Sequence, residues 1–492
     1  MTSLQLPEEP AAHLEGVRHS LDARYRAAAD QLATNTAVRI DDAGKVHLSP
    51  LEAKTIPASL TQLRALVSAM LPQVDLPDVL LEVHSWTGFL SEFSHVSEAS
   101  ARMDHLDVSV AAILVAEACN VGLTPVAKDG HPALTRGRLA HVDQHYVRAD
   151  TLRAANFRLI QAQSALGLAQ RWGTGLLASV DGMRFVVPVA TVNAGANPRY
   201  CGQGRGLTWL NYLNNQVAGL GAVVVPGTVR DSLHILDGLL DLDGGQRPEI
   251  VATDTASYSD QIFGLFTLLG YRFSPRLAGL PDQRFWRIGT TANYGQLNAV
   301  AGRNRINLDL ITANWPDMLR LAGSLTAGTV RASEILRVPQ GSGTPTLLGK
   351  ALAEYGRIAK IQHLLDFIDV DEGYRRQIHT QLTLQESRHA LARLIFHGRR
   401  GQIRQSYREG QEDQLGALGL VLNAVILWNT RYLDAALTEL RGRGASVADE
   451  DVRRLSPLVS EHINILGRYT FTADPAGTQL RPFRNLDEDR KT

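Results

Sequence analysis

The sequence predicts an α/β protein, a mixed sheet with helices on its faces, set between all-α N- and C-terminal regions. Three observations carry this. Apolar residues recur at three- and four-residue steps up to about residue 170, with sparse Gly and Pro between them. From Trp172 to Arg276 the pattern changes to short β-type runs separated by glycine, and from about 290 onward helical periodicity returns.

In chain order, Leu60 to Leu71, Val110 to Cys119 and Ala149 to Gln170 read as helices of the N-terminal region. The central region offers five β-type runs: GLLASV, FVVPVATV, GAVVVPGTV, EIVATD and YRFSPR. A helical stretch, DSLHILDGLL, follows the third run, and SDQIFGLFTLLG follows the fourth. Three strands without helices between them, followed by helix, strand, helix, strand, suit a mixed sheet. Residues 290–375 read as helical, with turn signals at GSGTP and DVDEGY, either as a separate domain or as an insertion. One helix is expected over 381–397. Beyond Glu409 the stretch LGALGLVLNAVILWNTRYLDAALTEL has an apolar surface too broad for an exposed helix, so it is expected to be buried or to meet another subunit. The polar tail after Pro475 is expected to fray.

The chain has 492 residues, enough for about three domains. An apolar share of 44%, a charged share of 20% and a mean hydropathy of -0.10 describe a folded globular chain and exclude disordered and fibrous classes. Fifty basic and fifty acidic side chains cancel, so net charge gives no argument for nucleic acid. The basic set is nonetheless 44 arginines and 6 lysines, and arginine is the residue suited to bidentate phosphate contacts. Cys119 and Cys201 lie far apart without a CxxC partner, which removes a disulfide framework and the usual zinc spacings. The N-terminus lacks a secretory signal pattern and no apolar stretch approaches the roughly 20 residues of a bilayer span, so a cytoplasmic, nucleoid-associated protein is expected.

Three acids stand out. Asp181 ends GLLASV and begins Asp-Gly before FVVPV, which is equally the sequence of a tight hairpin turn. Asp254 ends EIVATD before a helix, where α/β folds place ligands; its alternative role is a helix cap, for which Ser257 and Ser259 are better placed. Glu386 lies in LTLQESRHALARLIFHG, where helical spacing puts Glu386, His389 and Arg393 on one polar face and Leu391, Leu394 and Ile395 toward the core. An ordinary solvated face would look the same. Together the three form the oxygen-donor set that Mg²⁺ requires, and two ions on a scissile phosphate stabilise both attacking and leaving oxygens. NPRYCGQGRGLTW is GxGxG rather than the dinucleotide GxGxxG; Arg199 and Arg205 suit a loop touching phosphates. Arg399, Arg400, Arg404 and Arg408 form a basic patch downstream of Glu386.

The segments ASVDGMRFVVPVATVNAGANPRY, TDTASYSDQIFGLFTLLGYRFSPRLAGL, QESRHALARLIFHGRRGQIRQSYREGQEDQLGALGLVLNAVILWNTRYLDAAL and LSPLVSEHINILGRY resemble the transposases of replicative, cointegrate-forming bacterial transposons, the Tn-three family. LPDVLLEVHSWTGFLSEFSHV extends the resemblance, which runs from about residue 10 to about 472. It implies an RNase-H-like, retroviral-integrase-like core with a DDE triad. The S-x-D-G aspartate falls on Asp181, the T-D-T-x-x-Y-S-D aspartate on Asp254, and E-x-R-H-x-L selects Glu386 over Glu409 and Glu412. The implied division is 1–170 helical scaffold and dimerisation region, 171–289 catalytic core, 290–375 helical insertion, 376–400 glutamate helix and 401–492 C-terminal helical region.

The resemblance implies Mg²⁺ (or Mn²⁺), two ions held by Asp181, Asp254 and Glu386, with transposon-end and target DNA as partners in a homodimer. The enzyme would nick transposon ends and join each 3′-hydroxyl to target DNA. Arg388, His389 and Arg393 are the expected phosphate or strand contacts. Members of the family carry a further N-terminal region that recognises the terminal repeats, and this chain is expected to lack it, needing a full-length transposase or another polypeptide for that task. Two other readings stay open: a non-catalytic DNA-binding or dimerisation regulator of a full-length transposase, and a stand-alone metal nuclease. The catalytic reading has a geometric requirement, that the three carboxylates come within reach of shared ions.

Overall fold

The computed structural model describes residues 6–97, 103–202, 204–227, 231–242, 246–255, 258–277, 279–302, 304–335, 346–398, 401–404, 410–467, 469–471 and 479–484. The N-terminal region begins with α1 (Pro10–Leu32), a short antiparallel ladder of β1 (Val38–Ile40) and β2 (Val46–Leu48), and α2 (Ala58–Met70). β3 (Val74–Asp75), α3 (Leu76–Thr87), α4 (Leu106–Ala118), α5 (Arg136–Tyr146) and α6 (Ala149–Ala165) complete it. The all-α expectation therefore needs correcting by two small ladders, because β3 also pairs in parallel with Ile463–Asn464 near the other end of the chain.

The sheet follows. β4 (Leu177–Val187), β5 (Gly195–Ala196), β6 (Arg205–Asn214) and β7 (Gly219–Pro226) come first, then α7 (Ile235–Leu240), β8 (Ile250–Thr253), α8 (Asp260–Leu268) and β9 (Arg272–Pro275). Its order is β7-β6-β4-β8-β9, with β5 also on β6. β6 runs antiparallel to both β7 and β4, while β4, β8 and β9 are mutually parallel. Five principal strands were expected and five are present, but they are not the same five. GLLASV and FVVPV are one strand: Asp181–Gly182 sits mid-ladder opposite Asn211 and Leu210, so the hairpin turn does not form. Conversely, β6 arises from the segment around Arg205 that reads as a loop. Its residues from Gly206 to Asn214 are buried on both faces, which erases the alternation that marks a half-exposed strand.

Helical elements close both faces: α9 (Leu308–Thr326), α10 (Leu347–Phe367), α11 (Gly373–Ile395) and α12 (Gln411–Gly442). The glutamate helix starts eight residues earlier than 381. One core lies between the face carrying Met183, Phe185 and Trp209 and the helices α3 to α6, α11 and α12. The other lies between the face carrying Val180, Leu210 and Tyr212 and α1, α7, α8, α9 and α10. Helix α1 and the β1–β2 ladder thus pack with the 290–375 helices rather than with helices α2 to α6. α8 and α10 approach so closely that a Cβ on Gly356 would lie 1.8 Å from the Asp260 carbonyl oxygen, which explains glycine there. α12 is buried along its length within the chain, which removes the need for a subunit to cover it. No helix among the described residues is long and apolar enough to cross a membrane. Part of the tail is held, with Arg481 ion-paired to Glu82 and Asp78.

Candidate active site

Strand register brings the two aspartates together. Val180 pairs with Thr253 across the parallel β4–β8 ladder, so Asp181 and Asp254 are the next residues of adjacent strands. Side chains alternate between faces with period two. Ser179 and Ala252 contact α11, hence Asp181 and Asp254 belong to that same face. Asp254 is exposed at the carboxyl end of β8, and it is not a cap: Ser259 Oγ accepts from Ile262 N at 3.3 Å and caps α8. Ser257 lies outside the described residues.

α11 runs alongside β4 and presents a polar stripe to it, Gln381, Gln385 and His389 at successive four-residue steps. Gln381 Nε2 donates to Ser179 Oγ (3.0 Å), Ser179 Oγ donates to Gln385 Oε1 (2.8 Å), and Gln385 Nε2 donates to Asn211 Oδ1 (2.7 Å). Asn211 Nδ2 donates to His389 Nε2 at 2.7 Å, which leaves the ring proton on Nδ1, 3.5 Å from Asp181 Oδ2. Burial, aided by Arg393 and Arg388, holds the His389 pKa down to about 4, so the imidazole faces Asp181 as a neutral group rather than as an ion-pair partner. Gly182 N also donates to Asp181 Oδ1 at 2.8 Å. Two of the groups that hold Asp181, the Gly182 amide and the neutral His389 ring, carry no positive charge.

Glu386 lies on α11 between Gln385 and His389 and is exposed. Among the described residues no three His, Cys, Asp or Glu side chains converge closely enough to hold one ion, so the acids share an end of the sheet without closing into a cluster. The expected polar face also divides. Glu386 and Arg393 are exposed, whereas His389 is 4% exposed and faces the sheet. Leu394, expected in the core, is 48% exposed, since the buried stripe passes through Leu391, Ala392 and Ile395.

Arg388 corrects a further expectation. It is wholly buried, donating from Nη1 to Asn423 Oδ1 (2.9 Å) and from Nη2 to Gly419 O (3.4 Å), and so ties α11 to α12 instead of meeting DNA. Arg205 is exposed at the start of β6, and Arg404 is exposed with its backbone held by Asn120. Arg199 falls in the short helix Pro198–Cys201; its side chain, and all of Arg399, Arg400, Arg408 and Glu409, lie outside the described residues. Sequence reasoning missed Ser179, Asn211, Gln381 and Gln385, which carry no charge. The available signal was the polar i, i+4 repeat Gln381, Gln385, His389.

The family described as the Tn3 transposase DDE domain matches residues 78–469. The chain belongs to that family. It is 54% identical over 485 residues to the transposase for transposon Tn4556 of Streptomyces fradiae, covering 99% of this chain and 54% of that protein. Identity to the transposase for transposon gamma-delta of Escherichia coli K12 is 52% over 455 residues, 92% of this chain and 45% of the relative. The transposase for transposon Tn1546 of Enterococcus faecium is 36% identical over 443 residues, 90% of this chain and 44% of its own length. This DDE-domain chain thus spans about half the length of the curated relatives it matches.

Proposed function

We propose that the chain is the catalytic part of a replicative DDE transposase, nicking transposon ends and joining the freed 3′-hydroxyl to target DNA. The observation that carries the reading is the side-by-side placement of Asp181 and Asp254 on the face covered by the Glu386 helix, within a chain of the DDE family. Counted in chain order, the principal strands lie 3-2-1-4-5 with the second antiparallel, which supports an RNase-H-like core. The helical segment 290–375 is then its insertion, and 1–170 and 401–492 are scaffold and dimerisation regions.

Carboxylate oxygens beside neutral amides suit a hard divalent cation, Mg²⁺ or Mn²⁺. Asp181 and Asp254 would hold it from the sheet and Glu386 from α11, whose exposed side chain has three rotatable bonds with which to reach inward. Two such ions, when bound, stabilise the attacking and leaving oxygens of an in-line phosphoryl displacement. His389, itself held by Asn211, positions the Asp181 carboxylate, and the exposed Arg205, Arg393 and Arg404 meet DNA phosphates.

Incubating the chain with labelled transposon-end DNA, target DNA and Mg²⁺ tests this: joined 3′ products support it, and degradation without joining indicates a metal nuclease instead. The second reading is a non-catalytic regulator of a full-length transposase. Dose-dependent loss of cointegrates on adding the chain to the full-length enzyme, without products of its own, would establish that.

A further inference from the structure

A cavity of about 740 Å³ runs along the N-terminal half of α11, between that helix, the 51–55 segment, α2 and the 453–456 loop. Five of its lining side chains are basic: Lys54, Arg64, Arg376, Arg453 and Arg454. Glu52 is the one carboxylate among the lining residues. Of the five cations, Arg376 is ion-paired, to Glu372. Arg64 Nη2 donates to Arg454 O at 3.0 Å and Arg454 Nη1 donates to Thr55 O at 3.2 Å. Carbonyl partners fix these guanidiniums in place without neutralising them, which is how a preorganised anion site is built. The nearby Asp449 is already engaged by Arg171 and Arg441.

The groove has an apolar floor from Trp172, Leu384 and Leu455 beneath its basic rim. A basic track over an apolar and aromatic floor is the pattern that holds a nucleic-acid strand by its phosphates while sugars and bases rest below. Its volume is that of a small-ligand pocket, room for a short stretch of one strand and not for a duplex. It also reaches the turn of α11 that carries Glu386. Thr383 and Ser387 line it, Thr383 stands one turn before Glu386, and the helix from Arg376 to Ser387 is about 16 Å long.

We infer that this groove binds the phosphodiester backbone of a single DNA strand on its way to or from Glu386. The strand is either the transposon end or the target. The assignment rests on the transposase reading for the identity of the nucleic acid, not for the anion chemistry.

The test is fluorescence anisotropy of the full chain with a short labelled single strand across a salt series. Arg64→Ala with Arg454→Ala removes the two anchored cations; Lys54→Ala with Arg453→Ala removes two with no internal hydrogen bond or ion pair among the described residues, so it spares the fold. Each pair should make the slope of log affinity against log salt shallower by about 1.4, at about 0.7 per lost contact on single strands. Unchanged slopes for both pairs, with circular dichroism like that of wild type, would overturn the proposal. A photo-crosslinker at position 54, with end and target strands labelled differently, identifies the source; capture of either strand supports the groove and capture of neither contradicts it. Groove binding without Mg²⁺-dependent nicking by wild type would sink the transposase reading alone. Nicking with unaltered slopes would sink the groove alone.

Discussion

The two faces of the sheet are held by different chemistry. On one, Val180 and Val251 pack against Phe263, Phe266 and Phe273, with the Phe263 and Phe273 rings 5.0 Å apart edge to face. On the other, Ser179, Asp181 and Asn211 meet Gln381, Gln385 and His389 through hydrogen bonds. Apolar contacts are tolerant of small rotations and supply most of the free energy. A buried amide network is directional, and each unmet group in it costs free energy, so it fixes the rotation of α11 and the orientation of Asp181. The α8 face is thus held by apolar packing, whereas on the α11 face a directional polar network lies beside the apolar core around Met183, Phe185 and Trp209.

The largest expected effect is on the apolar side. Phe263→Ala should cost about 3–5 kcal/mol in urea unfolding while leaving nicking per folded molecule nearly unchanged. On the polar side Gln385→Leu should cost less, about 1–3 kcal/mol, because it removes the donor to the buried Asn211 Oδ1 and the 2.8 Å acceptor of Ser179 Oγ. Its nicking rate should fall by more than the folded fraction does, and equal losses would remove the distinction between the faces.

Not every part-buried polar group on α5 and α12 is so well served. Burial pushes Asp143 up to about 6; burial, then Glu412, Asp143 and Asp150, pushes Asp413 up to about 6. A folded pKa above the unfolded value of 3.8 means the folded state holds the proton more tightly. The contribution of these groups is therefore unfavourable above about 6 and is relieved as pH falls toward 3.8. Asp413→Asn should stabilise the chain by about 1 kcal/mol at neutral pH and flatten its stability profile over that window, measured by unfolding at several pH values. The smallest effect belongs to Leu394→Lys, within about 0.5 kcal/mol of wild type, since that side chain faces solvent rather than the core.

How much of this was legible follows from the same contrast. Periodicity exposed the long helices and the order of strands and helices after β7, and residue motifs exposed the acids. What stayed hidden was set by tertiary pairing. Asp181–Gly182 has the local chemistry of a turn, yet ladders on both sides keep β4 extended. β6 lost its alternating signature because both its faces are covered. Arg388 and His389 read as surface groups because charge suggests solvent, whereas α12 and Asn211 supply partners inside. The glutamate helix was found, but which side of it faces the sheet depended on uncharged glutamines.

The central claim is that Asp181, Asp254 and Glu386 form one metal-dependent site although their carboxylates stand apart in the free chain. Its most direct measurement is nicking of transposon-end DNA in Mg²⁺ by Asp181→Asn, Asp254→Asn and Glu386→Gln, alongside DNA affinity for each. All three should lose nicking by several orders of magnitude while affinity stays close to that of wild type. Retained Mg²⁺-dependent nicking by any one of them would contradict the account.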